Sequence, residues 1–225
     1  MPWRDWVRIV EVEPSLYAAD FGNLGEQIDT LIRAGARIFH FDVGDGHFVE
    51  PITMGPIVLE SISERIHSQG GVIDCHLMVA NPAKHFHAIA RAGGDSVTFH
   101  YEAVRDLRGV MQAAREQELE VGLAFKPSTS VEDIVAVAEG FDIVLCMSIE
   151  PGYSGQPFLE GSLERIRWTR EHLPEDVFVQ VDGGINEENI RAANEAGASL
   201  LVSASAIFGR EDLPRAYRRL VQALA

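Results

Sequence analysis

Phe39-His40-Phe41-Asp42-Val43-Gly44-Asp45-Gly46-His47-Phe48 reads as the end of a β-strand running into a glycine-bearing turn. Successive side chains of a strand point to opposite faces. His40 and Asp42 therefore share one face, while Phe39, Phe41 and Val43 share the other. Outward from this stretch, short β-branched runs recur along the chain. They predict strands over residues 9–12, 38–43, 72–78, 96–100, 120–124, 143–147, 177–181 and 199–202. Amphipathic segments lie between them. One carries Leu24, Ile28, Leu31 and Ile32 at i, i+4, i+7 and i+8, with Asp20 placed to cap it. Another carries Leu159, Leu163 and Ile166, and the last covers residues 213–224. Ala34-Gly35-Ala36, Ala92-Gly93-Gly94 and Ala196-Gly197-Ala198 each sit just before a strand, where glycine ends a helix. Parallel strands need crossover helices, so eight strand–helix units in this length give an α/β fold, a single (β/α)₈ barrel. A doubly wound open sheet is the alternative, but no GxGxxG follows the first strand.

At 225 residues, with 46% apolar and 24% charged residues, the chain suits one barrel domain over residues 1–225. No linker or low-complexity tract divides it. Its apolar runs are short and broken by charges, so no membrane span is expected. The start, MPWRDWVRIV, lacks a basic region followed by an apolar run, and the cytoplasm is the expected location. A net charge of −15 argues against nucleic acid, whose phosphates need a basic footprint. Cys75 and Cys146 form no CxxC pattern and read as small buried apolar residues.

At the C-terminal ends of barrel strands, side chains face the active site. Three of the predicted strands bring polar groups there. The second carries His40 and Asp42. The third carries His76, accompanied inward by Asp74 or Met78. The seventh ends at Asp182. Two imidazoles and two carboxylates from three strands make a ligand set for Zn²⁺, with Mn²⁺, Fe²⁺ or Co²⁺ as alternatives. A lone His or Asp at a strand end is more often a cap or hydrogen-bonding group; four on the expected face are the signal. Asp45 and His47 are expected to shape the loop after the second strand, and His100 to be a core or rim histidine. His67, His85, His87 and His172 lie on helical segments and are expected to face solvent.

Three loops follow neighbouring strands, the first two bearing glycine: Met147 through Pro151-Gly152-Tyr153-Ser154-Gly155-Gln156, Asp182-Gly183-Gly184, and Val202-Ser203-Ala204-Ser205. Any one alone would read as a turn. Together, beside a metal site, they predict a phosphate cradle of backbone N–H groups.

Val12-Glu13-Pro14-Ser15-Leu16, His40 through Phe48, His76-Leu77-Met78-Val79, Pro151 through Gln156 and Val181-Asp182-Gly183-Gly184 together resemble the signature blocks of ribulose-phosphate 3-epimerases. The blocks occur in that family's order and cover nearly the whole chain. The resemblance implies a TIM barrel that inverts the carbon next to the ketone of a ketose phosphate. It implies one divalent metal ion held by His40, Asp42, His76 and Asp182, with Asp42 and Asp182 also serving as the acid/base pair. In that scheme the ion stabilises the developing enediolate, Asp42 accepts the proton and Asp182 returns one from the opposite face. It also implies substrate contacts from Ser15 and His76, and phosphate held by Gly152, Tyr153, Ser154, Gly155, Gly183, Gly184, Ala204 and Ser205. The partner implied is a small sugar phosphate, and the assembly a homo-oligomer.

This chain departs from the family pattern at several of these positions. Gly44 stands where the family usually has Met, which predicts open space beside the metal. Ser154 and Ala204 replace glycines and add a Cβ where backbone should approach phosphate. Glu150 replaces a usual Asn, and Glu13 and Tyr17 replace small or apolar residues near Ser15. D-ribulose 5-phosphate is the expected substrate, and a six-carbon ketose such as D-allulose 6-phosphate is the alternative. A decarboxylase on a related barrel would need a lysine among acidic residues, whereas Lys84 lies in a helical region and Lys126 stands alone. A barrel that merely binds a sugar phosphate would be expected to have lost a ligand or carboxylate, and none is missing.

Overall fold

In a computed structural model, residues 2–7 and 9–224 are described. Eight strands, β1 (Glu11–Pro14), β2 (Ile38–Gly44), β3 (Val72–Met78), β4 (Ser96–His100), β5 (Glu120–Phe125), β6 (Ile143–Met147), β7 (Phe178–Asp182) and β8 (Leu200–Ser203), pair in parallel. Each neighbours the next in sequence, and β1 lies beside β8. A parallel bridge between Ser15 and His40 brings β1 against β2, so the sheet is a nearly closed (β/α)₈ TIM barrel. The helices are α1 (Trp3–Trp6), α2 (Leu24–Ala34), α3 (Pro56–His67), α4 (Phe86–Arg91), α5 (Leu107–Arg115), α6 (Val131–Val135), α7 (Ser162–His172), α8 (Ile190–Glu195), α9 (Ser205–Phe208) and α10 (Leu213–Leu224).

Differences from expectation lie at element ends. β1 starts two residues later than Ile9 and Val10 suggest, because the ladder to β8 opens at the Glu11–Leu200 pair; Ile9 is 85% exposed. Pairing, more than β-propensity, decides where a strand begins. Asp20 caps the 3₁₀ turn Phe21–Asn23 through the Gly22 N–H, and α2 starts just beyond it. Leu159 precedes α7 and is part of the loop leading into it. Gly35, Gly93 and Gly197 all have positive φ just ahead of β2, β4 and β8, as the Ala-Gly repeats imply.

Alternation sorts each strand between two cores. Phe39, Phe41, Ile73, Cys75, Val97, Phe99, Val179 and Val181 pack outward with the helices. The inward residues form layers along the barrel axis. At the N-terminal end Ile38, Ile143 and Leu200 meet Trp3, Trp6 and Val7, which plug the barrel from below. Above them lies a polar layer of Glu13, His40, Asp74, Ser96, Thr98 and Gln180, all fully buried. The mouth follows, where Ala124, Leu145, Met147 and Ile149 form an apolar flank.

Candidate metal and phosphate site

The four predicted ligands meet. His40 and Asp42 come from β2, His76 from β3 and Asp182 from the last position of β7, and one donor atom from each lies within 4.8 Å of the others. Parallel register explains the convergence, since Asp42 sits opposite His76 and His40 opposite Asp74. Both Asp74 and Met78 point inward with His76: Asp74 into the polar layer and Met78 into the pocket.

The two imidazoles approach with different nitrogens. His76 Nδ1 is 3.0 Å from Asp42 Oδ1 and 3.8 Å from Asp182 Oδ2. His40 instead turns Nε2 toward Asp42 Oδ1 at 3.4 Å, while its Nδ1 lies 3.0 Å from Asp74 Oδ2. His40 Nε2 is fully buried and makes no hydrogen bond among the described residues. A buried ring nitrogen left without a partner is costly, and a bound cation removes that cost. Donors on a tetrahedral ion at 2.0–2.1 Å stand roughly 3.3–3.4 Å apart, which the 3.0–3.8 Å separations bracket. The donor set thus fits a divalent ion, and Asp74 behind His40 supplies the carboxylate that fixes a ligating imidazole's tautomer.

The carboxylates differ in charge. Burial would raise Asp42, but the charges and hydrogen bonds of His40 and His76 outweigh it and hold this carboxyl well below the usual range. Ser15 Oγ donates to Asp42 Oδ2 at 2.6 Å. Asp182 is pushed up to about 6, first by burial and then by the charge of Asp42. Two carboxyls whose surroundings drive them apart can divide the work of proton acceptor and proton donor. Beneath them burial raises Glu13 to about 7. Its Oε2 accepts from Gln180 Nε2 at 2.6 Å, while its Oε1 has no hydrogen-bond partner among the described residues.

Ser15, Asp42 and Asp182 line one pocket together with Gly152, Tyr153, Ser154, Gly155, Gly183, Gly184, Ala204 and Ser205. Every residue anticipated for phosphate therefore faces one cavity, together with both acidic groups. His40 and His76 do not line it; they stand behind Asp42. Gly183 and Gly184 have φ of 121° and 68°, and a Cβ would lie 2.4 Å from Ile149 Cγ1 and 2.6 Å from the Phe158 nitrogen, respectively. Their conformation is therefore required by the fold whether or not an anion binds.

Some expectations change. Gly44 does not open space beside the metal. A Cβ there would lie 2.8 Å from the Pro51 carbonyl oxygen and 3.1 Å from both Val49 and Thr53, so the 49–53 loop already fills that volume. Thr53 fastens the loop, its Oγ1 accepting from Gly44 N and donating to the Asp42 carbonyl, both at 2.7 Å. Glu150 is exposed and outside the pocket lining. His67 is half-buried, bonded to Asp95 at 2.9 Å, and His85 is also half-buried, so neither faces solvent freely. Asp45 shapes its loop as expected, accepting from His47 N, Phe48 N and Ala80 N.

Tyr17, Met78, Met147, Ile149, Ile185 and Val202 also line the pocket, although sequence reasoning gave them no role in the site. Spacing marks two of them, since Tyr17 and Met78 each lie two residues beyond a site residue. His100 is buried at the end of β4, its Nε2 2.9 Å from His76 Nε2, and burial pushes it down to about 4.

The sequence profile of the Ribulose-phosphate 3 epimerase family matches residues 11–208. A ribulose-phosphate 3-epimerase of Bacillus subtilis (strain 168) is 37% identical over 212 residues, spanning 92% of this chain and 96% of the relative. A ribulose-phosphate 3-epimerase of Oryza sativa subsp. japonica, described as a cytoplasmic isoform, is 36% identical over 90% of this chain and 89% of its own. Among solved structures, 3-hexulose-6-phosphate synthase from Salmonella typhimurium superposes with a TM-score of 0.72 at 16% identity, covering 95% of this chain and 98% of the other. That likeness concerns the barrel alone. With its profile match and its relatives taken together, the chain belongs to the ribulose-phosphate 3-epimerase family, and it is an isomerase of the carbohydrate epimerase class.

Proposed function

We propose that this protein interconverts D-ribulose 5-phosphate and D-xylulose 5-phosphate. The observation that carries the reading is the meeting of two carboxylates and two imidazoles beside a pocket lined by the loops after β6, β7 and β8. His40 Nε2, Asp42, His76 Nδ1 and Asp182 would hold one divalent ion, zinc by preference. When bound, the ion supplies Lewis-acid stabilisation of the negative charge that develops on the sugar oxygens. Asp42, kept ionised by its imidazole neighbours, takes the C3 proton. Asp182, the more readily protonated carboxyl, gives a proton to the opposite face of the enediolate, and the centre inverts. In the reverse direction the roles exchange. Ser15 fixes the orientation of Asp42 through its hydroxyl. The backbone of Gly152–Gly155, Gly183, Gly184, Ala204 and Ser205 holds the phosphate.

The six-carbon alternative drew on space at Gly44 and on the altered phosphate loop; the 49–53 loop fills that space, which removes the first support. The five-carbon substrate is therefore the reading we adopt. The protein would act as a single catalytic domain, as a homo-oligomer, in the cytoplasm; the name of the rice relative supports the last point. Incubation in D₂O with Zn²⁺, Mn²⁺, Fe²⁺ or Co²⁺ tests the reaction. Loss of the C3 proton of D-ribulose 5-phosphate, faster than that of D-allulose 6-phosphate, is expected. Absence of exchange with every metal would overturn the assignment.

A further inference from the structure

Behind His76 lies a chain of hydrogen bonds that the reaction above does not use. His76 Nε2 is 2.9 Å from His100 Nε2, and His100 Nδ1 is 3.3 Å from Glu102 Oε2. The other Glu102 oxygen, Oε1, accepts from the Lys126 N–H at 2.8 Å and from the Thr129 hydroxyl, both on the loop after β5. His76 and His100 are fully buried, and the Phe48 ring packs on His100 with centroids 4.8 Å apart. The Lys126 ammonium lies 4.3 Å from the centre of that same ring.

Two ring nitrogens at 2.9 Å must share one hydrogen, so one imidazole donates and the other accepts. Glu102 settles the direction. As a carboxylate it only accepts, so His100 carries its proton on Nδ1 and leaves Nε2 bare. His76 must then donate from Nε2, and with an ion in place of the proton that otherwise joins its Nδ1 to Asp42 at 3.0 Å, the Nδ1 lone pair is free to ligate. The opposite arrangement would place a bare His100 Nδ1 against a carboxylate, two acceptors in contact, and would put a hydrogen on the very nitrogen that faces the other ligands.

We infer that His100 and Glu102 are positioning residues that set the tautomer of His76 and thereby the metal affinity of the site. The inference rests on the metal reading proposed above. Asp74 performs the same service for His40 in one step, whereas His76 is served in two. The second step ties the site to the Lys126–Thr129 loop on the opposite side of β4 from β3.

Glu102→Gln is the decisive variant. The Lys126 N–H and Thr129 hydroxyl hold the side-chain oxygen, so the new amide NH₂ faces His100 Nδ1 and donates to it. That reverses the chain and drives the hydrogen of His76 onto Nδ1. Binding of Co²⁺ to the chelator-treated full chain, followed by its visible absorption, gives the readout, with melting temperature as the control for a merely structural role. Loss of an outer partner of a metal-bound histidine typically weakens metal binding roughly 10–100-fold. We expect that loss for Glu102→Gln and for His100→Leu, a changed Co²⁺ spectrum, and little change in melting. His100→Gln can accept from His76 and donate to Glu102, so it should stay within about threefold of wild type. If Glu102→Gln does not fold, the contrast between His100→Leu and His100→Gln decides. Wild-type affinity in both Glu102→Gln and His100→Leu overturns the relay while leaving the metal site standing. A wild-type chain that takes up no Co²⁺ overturns the site and the relay together.

Discussion

The two ends of this barrel solve opposite problems with the same eight strands. At the N-terminal end, Ile38, Ile143 and Leu200 close on Trp3, Trp6 and Val7, and the tryptophan rings meet edge to face with centroids 4.9 Å apart. At the C-terminal end the corresponding inward positions carry Asp42, His76 and Asp182, and His40 is left with an unpartnered ring nitrogen. The lower end maximises buried apolar area, the main favourable term in folding. The upper end concentrates carboxyl groups that must be held apart by imidazoles, hydroxyls and amides. Stability and chemistry are thus divided along the barrel axis, and substitutions at the two ends should fail in different ways.

The largest effect is expected at the mouth. Asp42→Asn or Asp182→Asn should each cut C3 proton exchange by about 10²–10⁴-fold, the usual worth of a positioned acid or base. Melting temperature should not fall for Asp182→Asn, whose charge burial and Asp42 disfavour, whereas Asp42→Asn gives up the imidazole contacts that hold that carboxyl ionised and should melt lower. A variant that exchanges at the wild-type rate would break the division. At the floor, Trp3→Ala should cost about 3–5 kcal/mol in denaturant melts, as aromatic truncations in cores do. Activity per folded molecule should be unchanged. A floor variant that keeps its stability but loses turnover would show that the ends are not independent.

The polar layer between the ends sharpens the comparison. Glu13 is raised to about 7 in the fold, whereas an unfolded glutamate titrates near 4.3. A carboxyl raised in the native state contributes its full stability below the unfolded value and loses it as pH rises through the folded one. The metal-free protein should therefore lose stability between about pH 4 and 7. Glu13→Gln removes that loss, and should gain up to about 3 kcal/mol at pH 8 but almost nothing at pH 5. Equal gains at both pH values would show that Glu13 matters through packing and not through its charge.

Much of this was legible in the sequence because alternation is a local property. β3, β4 and β6 run over the residues that their apolar runs mark, and α10 covers Leu213–Leu224 as its periodicity implies. His40, Asp42, His76 and Asp182 could be grouped because each sits on the inward face near the end of its own strand. What stayed hidden depends on pairing between distant parts of the chain. Glu13 and Gln180 are 167 residues apart, and neither alone signals the bond between them. The role of His100 rests on a partner 24 residues away, which strand spacing places nearby but cannot aim. Gly44 shows the reverse error. A small residue in place of a large one reads as a hole in sequence, but here a loop five to nine residues further on occupies it. The Trp3–Trp6 plug escaped notice because a four-residue helix carries too few positions to show a period.

One further property of the pocket concerns ionic strength. Among the residues lining it, two are acidic and none is a lysine or arginine. An incoming dianion therefore meets neutral dipoles, two acidic side chains and a molecule of net charge −15 around them. In most phosphate-binding enzymes added salt screens an attraction and slows capture; in this one it would screen a repulsion. Encounter should thus be favoured in the crowded electrolyte of a living cell over the dilute buffers in which such enzymes are usually assayed.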